Sequence, residues 1–217
     1  MISKKNKGCL IFLEGSDFSG KTTQSELLFK YLKQQGLPVV KTKEPGATNL
    51  GKQIRQILLF SKEKIDCKAE AFLFSADRSE HYNKIIIPNL NKHKIVISDR
   101  NWPSTIAYQG FGRGISLRFL DYLRKEATYG IKPDLIIFLD IIPSDYIKVC
   151  KQRQETRHKK LTRFEQEKLD FHKKVRRGFL YLANKDTKHW KIINANQPVD
   201  KVFQDIQKIV DYTLKHI

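Results

Sequence analysis

The sequence predicts an α/β fold in which helices cover both faces of a parallel sheet. Three observations predict it. Short runs such as Cys9 to Leu13, Lys94 to Ser98 (KIVIS) and Asp134 to Leu139 (DLIIFL) are almost wholly apolar, as strands buried on both faces are. Longer stretches with apolar residues at helical spacing alternate with them, the arrangement of a sheet layered between helices. A GxxxxGK[ST] sequence, Gly15-Ser16-Asp17-Phe18-Ser19-Gly20-Lys21-Thr22, falls where the first strand gives way to the first helix.

Taken in order, Cys9 to Leu13 reads as a buried strand. Thr22 to Gln35 reads as a helix, with Leu27, Leu28, Tyr31 and Leu32 on one side. Leu37 to Lys43 is a second strand. Leu50 to Phe60 and Lys68 to Leu90 read as helices, and Pro88 is expected to end the latter early. Lys94 to Ser98 is a strand, Leu117 to Ala127 a helix, and Asp134 to Leu139 another strand. Ser144 to Gln154 and Phe164 to Ala183 read as helices flanking a basic segment. Lys191 to Asn194 is a last short strand, and Val199 to Ile217 a terminal helix. No internal repeat, low-complexity tract or Pro/Gly/Ser-rich linker interrupts the pattern.

Composition narrows the class. A chain of 217 residues can bury a core without staples. With 40% hydrophobic and 11% aromatic residues it is not a disordered chain. No apolar run is long enough to span a membrane, and the run after the lysines of Met1 to Gly8 is too short for a signal peptide. Cys9, Cys67 and Cys150 are far apart and in no CxxC spacing, which suits reduced thiols in a cytoplasmic protein. The net charge of +18 could mark a nucleic-acid or membrane surface. The 30 lysines and 11 arginines are spread over every segment, however. A lysine-rich composition accounts for them better, and a polyanionic small substrate would also suit a basic cleft.

The glycine-flanked loop carries the most specific chemistry. Gly15 and Gly20 allow backbone conformations and close approaches that a Cβ would block. The loop amides and the start of the helix then form an anion cradle. Gly15, Ser16, Asp17, Phe18, Ser19, Gly20, Lys21, Thr22 and Thr23 are the candidates for holding a nucleoside triphosphate. Lys21 can reach its β- and γ-phosphates, and Thr22 can ligate Mg²⁺. This motif alone does not separate GTPases, motors and small kinases.

Five further segments place polar groups where a core or plain loop does not need them. Thr42 to Thr48 (TKEPGAT) ends a strand, where α/β sheets face their ligands, although a Pro-Gly turn alone would explain it. Phe74 and Arg78 share a helix face and could stack on and hydrogen-bond a base. A core Phe beside a snorkelling Arg is the simpler account of that pair taken alone. Asp99 follows KIVIS in the position that organises Mg²⁺ beside a phosphate loop, and Arg100 could clamp a phosphate. Ser104, Thr105, Tyr108 and Gln109 lie near a glycine-rich loop and suit a base edge and a sugar. Lys151 to Glu165 holds Arg153, Arg157, His158, Lys159, Lys160 and Arg163. It is either a solvated basic turn or a lid that supplies an arginine to the transferring phosphoryl group.

In their order along the chain, LEGSDFSGKTTQ, KEPGATNLGKQIR, EAFLFSADRSEH, VISDRNWPSTIAYQGFGRG, PDLIIFLD and RFEQEKLDFHKKVRRGFLYLA resemble the thymidylate kinase family of the bacterial type. The resemblance covers nearly the whole chain. It implies the P-loop nucleoside-monophosphate-kinase fold: a three-layer sandwich with a five-stranded parallel sheet, one domain over residues 1–217, and a lid at about 151–164. It implies conversion of dTMP and ATP to dTDP and ADP on the route to dTTP, with Mg²⁺, usually by a homodimer, with no nucleic-acid or membrane partner. Carried over motif by motif, Asp17 and Glu44 sit near the sugar and metal-linked waters. Arg55 and Arg100 bind the dTMP phosphate. Phe74 stacks on thymine, with Arg78 on a base carbonyl. Ser104, Thr105, Tyr108 and Gln109 complete the base and deoxyribose pocket. Thr22 and Asp99 serve the metal. Arg153 is the lid arginine, and with Lys21, Asp17, Glu44 and Arg100 it makes up the catalytic set. Three residues depart from the family pattern: Phe18 where Gly or Arg is common, Ala47 for the second Gly of EPGGT, and Asn101 where Tyr or His is usual.

Such a transfer needs positioning and charge neutralisation, and the acceptor phosphate is already an anionic nucleophile. Two rivals remain at this level. A deoxynucleoside kinase of similar fold would use Glu44 as a base toward a hydroxyl acceptor, although two arginines for an acceptor phosphate argue against it. A nucleotide-dependent nucleic-acid-binding switch would use the positive charge.

Overall fold

A computed structural model describes residues 8–142 and 161–216. The continuous apolar runs become the interior of a five-stranded sheet. Its strands are β1 (Cys9–Glu14), β2 (Val39–Lys43), β3 (Ile95–Asp99), β4 (Leu135–Asp140) and β5 (Trp190–Asn194). Their spatial order is β2-β3-β1-β4-β5 and every pairing is parallel. Side chains alternate between the two faces of a strand, so each run feeds two cores. Leu10, Phe12, Val96, Ile136 and Phe138 face one core, and Cys9, Ile11, Leu13, Ile97 and Ile137 face the other. That double duty is why the central strands carry no polar alternation, while the edge strand β2 is only half-buried.

The second core is closed by α1 (Lys21–Gln34) and by the terminal helix, numbered α8 here (Val199–His216), through Leu28, Leu32, Val202, Ile206 and Val210. The first is closed by α2 (Asn49–Phe60), α3 (Cys67–His81) and α7 (Leu169–Lys185). Thr48 caps α2 by accepting from Gly51 N, and Asp66 caps α3 by accepting from Lys68 N and Ala69 N. Capped starts fix the rotation of both helices about their axes. The short helices α4 (Ile87–Asn91) and α5 (Trp102–Thr105), with α6 (Leu117–Ala127), complete the described elements. No helix among the described residues is long and apolar enough to cross a membrane.

Three expectations from the sequence are corrected. Pro88 does not end the helix that contains it: a π-helical turn at Tyr82–Ile86 precedes α4, which carries the proline in its first turn, where the missing N–H is not needed. The glycine-rich stretch expected as a loop beside Ser104, Thr105, Tyr108 and Gln109 is helical as far as Gly112. α5 continues into a π-helical segment, Ile106–Gly112, whose wide turn packs tightly on α7. The helix expected from Phe164 begins at Leu169, and residues 163–167 form turns that lead into it. The expected helix Ser144 to Gln154 and most of the expected lid lie outside the described residues.

Candidate active site

The C-terminal ends of β1, β2 and β3 open into one cleft of about 410 Å³. The first wall is the loop between β1 and α1. Gly15 has φ +149, and a Cβ there would come within 2.6 Å of Leu139 O. Gly20, at the N-terminus of α1, has φ +88. Both conformations favour glycine. Phe18, with φ 62, adopts the left-handed region without that freedom. The Lys21 ammonium is buried and donates to Ser16 O at 2.6 Å and Ser19 Oγ at 3.3 Å. Burial and then the Arg100 charge bring its pKa down to about 8. Next to it, Thr22 Oγ1 donates to Asp99 Oδ2 at 2.7 Å, joining the two oxygen donors read as metal candidates.

Arg100 follows β3 in a left-handed conformation, φ 68. Its guanidinium donates to Gly15 O at 2.8 Å, Ser104 Oγ at 3.0 Å and Tyr108 Oη at 3.3 Å, and pairs with Asp17. The other Asp17 oxygen accepts from Tyr108 Oη at 3.2 Å. Burial pushes the Asp17 carboxyl up, but Arg100 and Lys21 outweigh it and hold the group below the ordinary carboxylate range. Arg55 reaches the same cleft from α2, donating to Pro45 O at 2.8 Å across a cis Glu44–Pro45 bond. Burial and then Arg100 lower its pKa. Two guanidiniums in one cleft have the geometry and charge to hold a dianion.

The third wall is polar and almost dry. Arg78 is 2% exposed; its Nε donates to Glu44 Oε2 at 2.9 Å and its Nη2 to Thr105 Oγ1 at 3.0 Å. Glu44 Oε1 also accepts from His81 Nδ1 at 2.8 Å and Asn101 Nδ2 at 3.0 Å. The far nitrogen of His81 meets Thr42 Oγ1 at 2.6 Å. Phe74 lies beside this network, its ring 6.0 Å from that of Phe164, whose other neighbour is Tyr108 at 5.6 Å. Glu14, fully buried at the end of β1, accepts from Asn101 N at 2.7 Å and Ser104 Oγ at 2.6 Å. Burial drives its carboxyl up to about 7 against the pull of Arg100. Asp77 is driven to about 6 by burial and then by Glu44, and one of its oxygens accepts from Gly46 N at 3.0 Å.

The structure brings most of the sequence-derived candidates together. Asp17, Glu44, Arg55, Phe74, Arg78, Arg100, Ser104, Thr105, Tyr108 and Gln109 all line the cleft, as do Phe18, Gly20, Lys21, Thr22, Thr23 and Asp99. Gly15, Ser16 and Ser19 belong to the loop behind them. Arg153 and Arg157 lie outside the described residues. Arg163 is turned away: it pairs with Glu70 at 3.0 Å and donates to Leu58 O at 3.1 Å. Sequence reading passed over Thr162, Phe164 and Glu165, which line the cleft, and Glu14, Glu70 and His81, which are buried behind it. One signal was available. Glu70, Phe74, Asp77, Arg78 and His81 recur at the three- and four-residue steps of a single helix face, and so many ionisable groups on an inward face need partners.

A family model described as thymidylate kinase matches residues 13–206. The thymidylate kinase of Clostridium novyi (strain NT) is 41% identical over 204 residues, 93% of this chain and 98% of its own. That of Kosmotoga olearia is 40% identical over 198 residues, 91% of this chain and 93% of its own. The crystal structure of thymidylate kinase from Ehrlichia chaffeensis superposes with a TM-score of 0.76 at 33% identity, covering 94% of this chain and 98% of that one.

Proposed function

The chain belongs to the thymidylate kinase family and is a dTMP kinase, and from that premise we propose how the cleft divides the work. Lys21 and the amides of the loop hold the β- and γ-phosphates of ATP at the start of α1. Arg55 and Arg100 hold the dTMP phosphate, with Asp17 and Tyr108 aiming Arg100. Phe74, Arg78, Thr105 and Gln109 meet the base, and Tyr108 and Ser104 lie toward the sugar. The observation that carries this division is that the loop, the arginine pair and the aromatic slot line a single cleft.

The hard oxygens of Thr22 and Asp99 fit Mg²⁺, which takes one or two protein oxygens and completes its shell with phosphates and water. When bound there it would neutralise charge on the transferring phosphoryl group. The acceptor oxygen is already anionic, so no side chain is required as a base. Glu44 would therefore serve as the anchor of Arg78. Arg78, His81 and Asn101 take three of its roughly four acceptor positions, which argues against a role as base toward a nucleoside hydroxyl. Arg153 is the proposed lid arginine. Exposed Leu50 and Ile57 of α2, Phe72 of α3 and Tyr122 of α6 lie on neighbouring helices and support a homodimer through that face. A solution mass near twice 25.4 kDa that falls to one copy in Phe72→Glu is expected.

ADP release measured over a panel of nucleosides and monophosphates tests the reading. Release that depends on dTMP supports it. Faster phosphorylation of thymidine than of dTMP would show the acceptor arginines to be misread.

A further inference from the structure

Glu70 sits on α3, 1% exposed, and the proposed transfer makes no use of it. Its Oε1 accepts from Gln109 Nε2 at 2.8 Å and from Arg113 Nε at 3.5 Å, and its Oε2 accepts from Arg163 Nη2 at 3.0 Å. A carboxylate withdrawn from water needs such donors. Their identity has a consequence for Gln109. A carboxylate only accepts, so the amide must turn its NH₂ to Glu70. The carbonyl Oε1 is then the end left for the cleft that Gln109 lines. Arg78, tied to Thr105, which precedes Gln109 by four residues, offers donors. A wall with a donor on one side and an acceptor on the other complements a base carbonyl beside a ring N–H. It mismatches cytosine, whose corresponding ring nitrogen accepts.

The same carboxylate also holds the adjoining wall. Arg163 belongs to the turn that carries Phe164 into the cleft, and Arg113 lies over the rings of Phe164 and Phe171 at 5.6 and 4.7 Å. Arg113 continues to Glu167, at the end of that turn. One buried group therefore sets both the edge and the side of the base slot.

We propose that Glu70 is a positioning residue for base selection: it locks the Gln109 amide with its oxygen toward the base and so favours dTMP over dCMP. This rests on the reading that Gln109 meets the base. Glu70→Gln removes the demand for a donor and lets the Gln109 amide turn over. The double variant Glu70→Gln/Arg163→Met does the same without stranding the Arg163 charge, so a folded protein is available if the single variant fails. The expected result is a rise in KM for dTMP of about tenfold or more, with kcat within about threefold of wild type. The ratio of kcat/KM for dTMP over dCMP falls at least about tenfold, the scale of a lost polar readout. Arg163→Met alone lowers the melting temperature and leaves that ratio unchanged. A dTMP-to-dCMP ratio within about threefold of wild type in the folded Glu70 variant overturns the proposal. Gln109→Leu separates the two layers: if it leaves the ratio unchanged, the base reading itself is wrong; if it alone changes the ratio, only the role of Glu70 is.

Discussion

The two ends of the cleft are built by opposite means. The phosphate loop is eight consecutive residues, Gly15 to Thr22. Its proposed binding groups are backbone amides and one lysine, which bonds within the loop itself at Ser16 and Ser19. The proposed nucleoside end is assembled from β2, α2, α3, the segment after β3 and the turn before α7. Its polar and charged groups are linked over long sequence distances, such as Arg78 to Glu44 and Asn101 to Glu44. The first design tolerates sequence change elsewhere, because its geometry is local. The second makes each site residue depend on buried partners that touch no ligand. Variants at the loop should therefore lose chemistry and keep the fold, while variants at the nucleoside end should lose both binding and stability.

The largest expected effect is at the loop. Lys21→Ala should lower turnover by several orders of magnitude with an unchanged circular dichroism spectrum; turnover near wild type would dissolve the contrast. Arg153→Ala is expected to cost about 10³- to 10⁵-fold in kcat and little in substrate affinity, the signature of a contact made in the transition state. Arg163→Ala should instead act through stability, since its guanidinium is held by Glu70 and Leu58 O. If Arg153, Arg157 and Arg163 all keep kcat within about threefold, less than 1 kcal/mol, the lid-arginine mechanism is wrong for this protein.

At the nucleoside end, Glu44→Gln breaks a pair whose side chains are 2% and 3% exposed. Denaturant titration should report a loss of about 3–5 kcal/mol, as for other buried pairs deprived of one partner, and a stability equal to wild type would mean that the network is not structural. Phe74→Ala should weaken dTMP binding about ten- to a hundredfold through a lost stacking contact of about 1–3 kcal/mol, leaving ATP affinity unchanged. Equal losses for both ligands in calorimetry would make Phe74 a core residue only.

The smallest effect is in pH dependence. Glu14 binds its proton up to about pH 7 in the folded protein, against an ordinary value of 4.5. Between those limits the native state holds more protons than the unfolded one, so this group makes stability fall as pH rises. Lys21 works in the opposite sense higher up. Its pKa falls from 10.5 to about 8, so the unfolded state binds more protons there and stability rises with pH across that window. Glu14→Gln should flatten the profile between about pH 4.5 and 7 by up to one proton's slope; an unaltered slope in chemical denaturation series would refute the Glu14 assignment.

How much was legible follows the same division. The strand runs were visible because burial on both faces removes polar alternation, and Phe74 and Arg78 were visible as a pair because a helix brings their positions together. Glu70, His81 and Glu14 were harder to read. An acidic or imidazole side chain looks the same in sequence whether it is solvated or holds another residue in place. Phe164 was read into a helix because its apolar spacing runs into that of α7, whereas the structure starts the helix at Leu169 and uses the ring in the cleft. Pro88 and the glycine-rich stretch from Gly110 to Gly112 were misread because π-helical turns have no marked residue preference to announce them.

By itself the sequence determined the layered parallel sheet, the phosphate loop with Lys21 and Thr22, and the family to which the chain belongs. Each is written in short stretches of chain: continuous apolar runs for strands buried on both faces, the helical repeat for the helices, and the glycine-flanked turn between β1 and α1. Tertiary structure alone decided that Glu44 anchors Arg78, that Arg163 faces Glu70 rather than the cleft, and that Gln109 turns its amide nitrogen inward. Those outcomes depend on which charges are desolvated together once the helices pack, and a buried charge takes whatever partner the packing brings within reach.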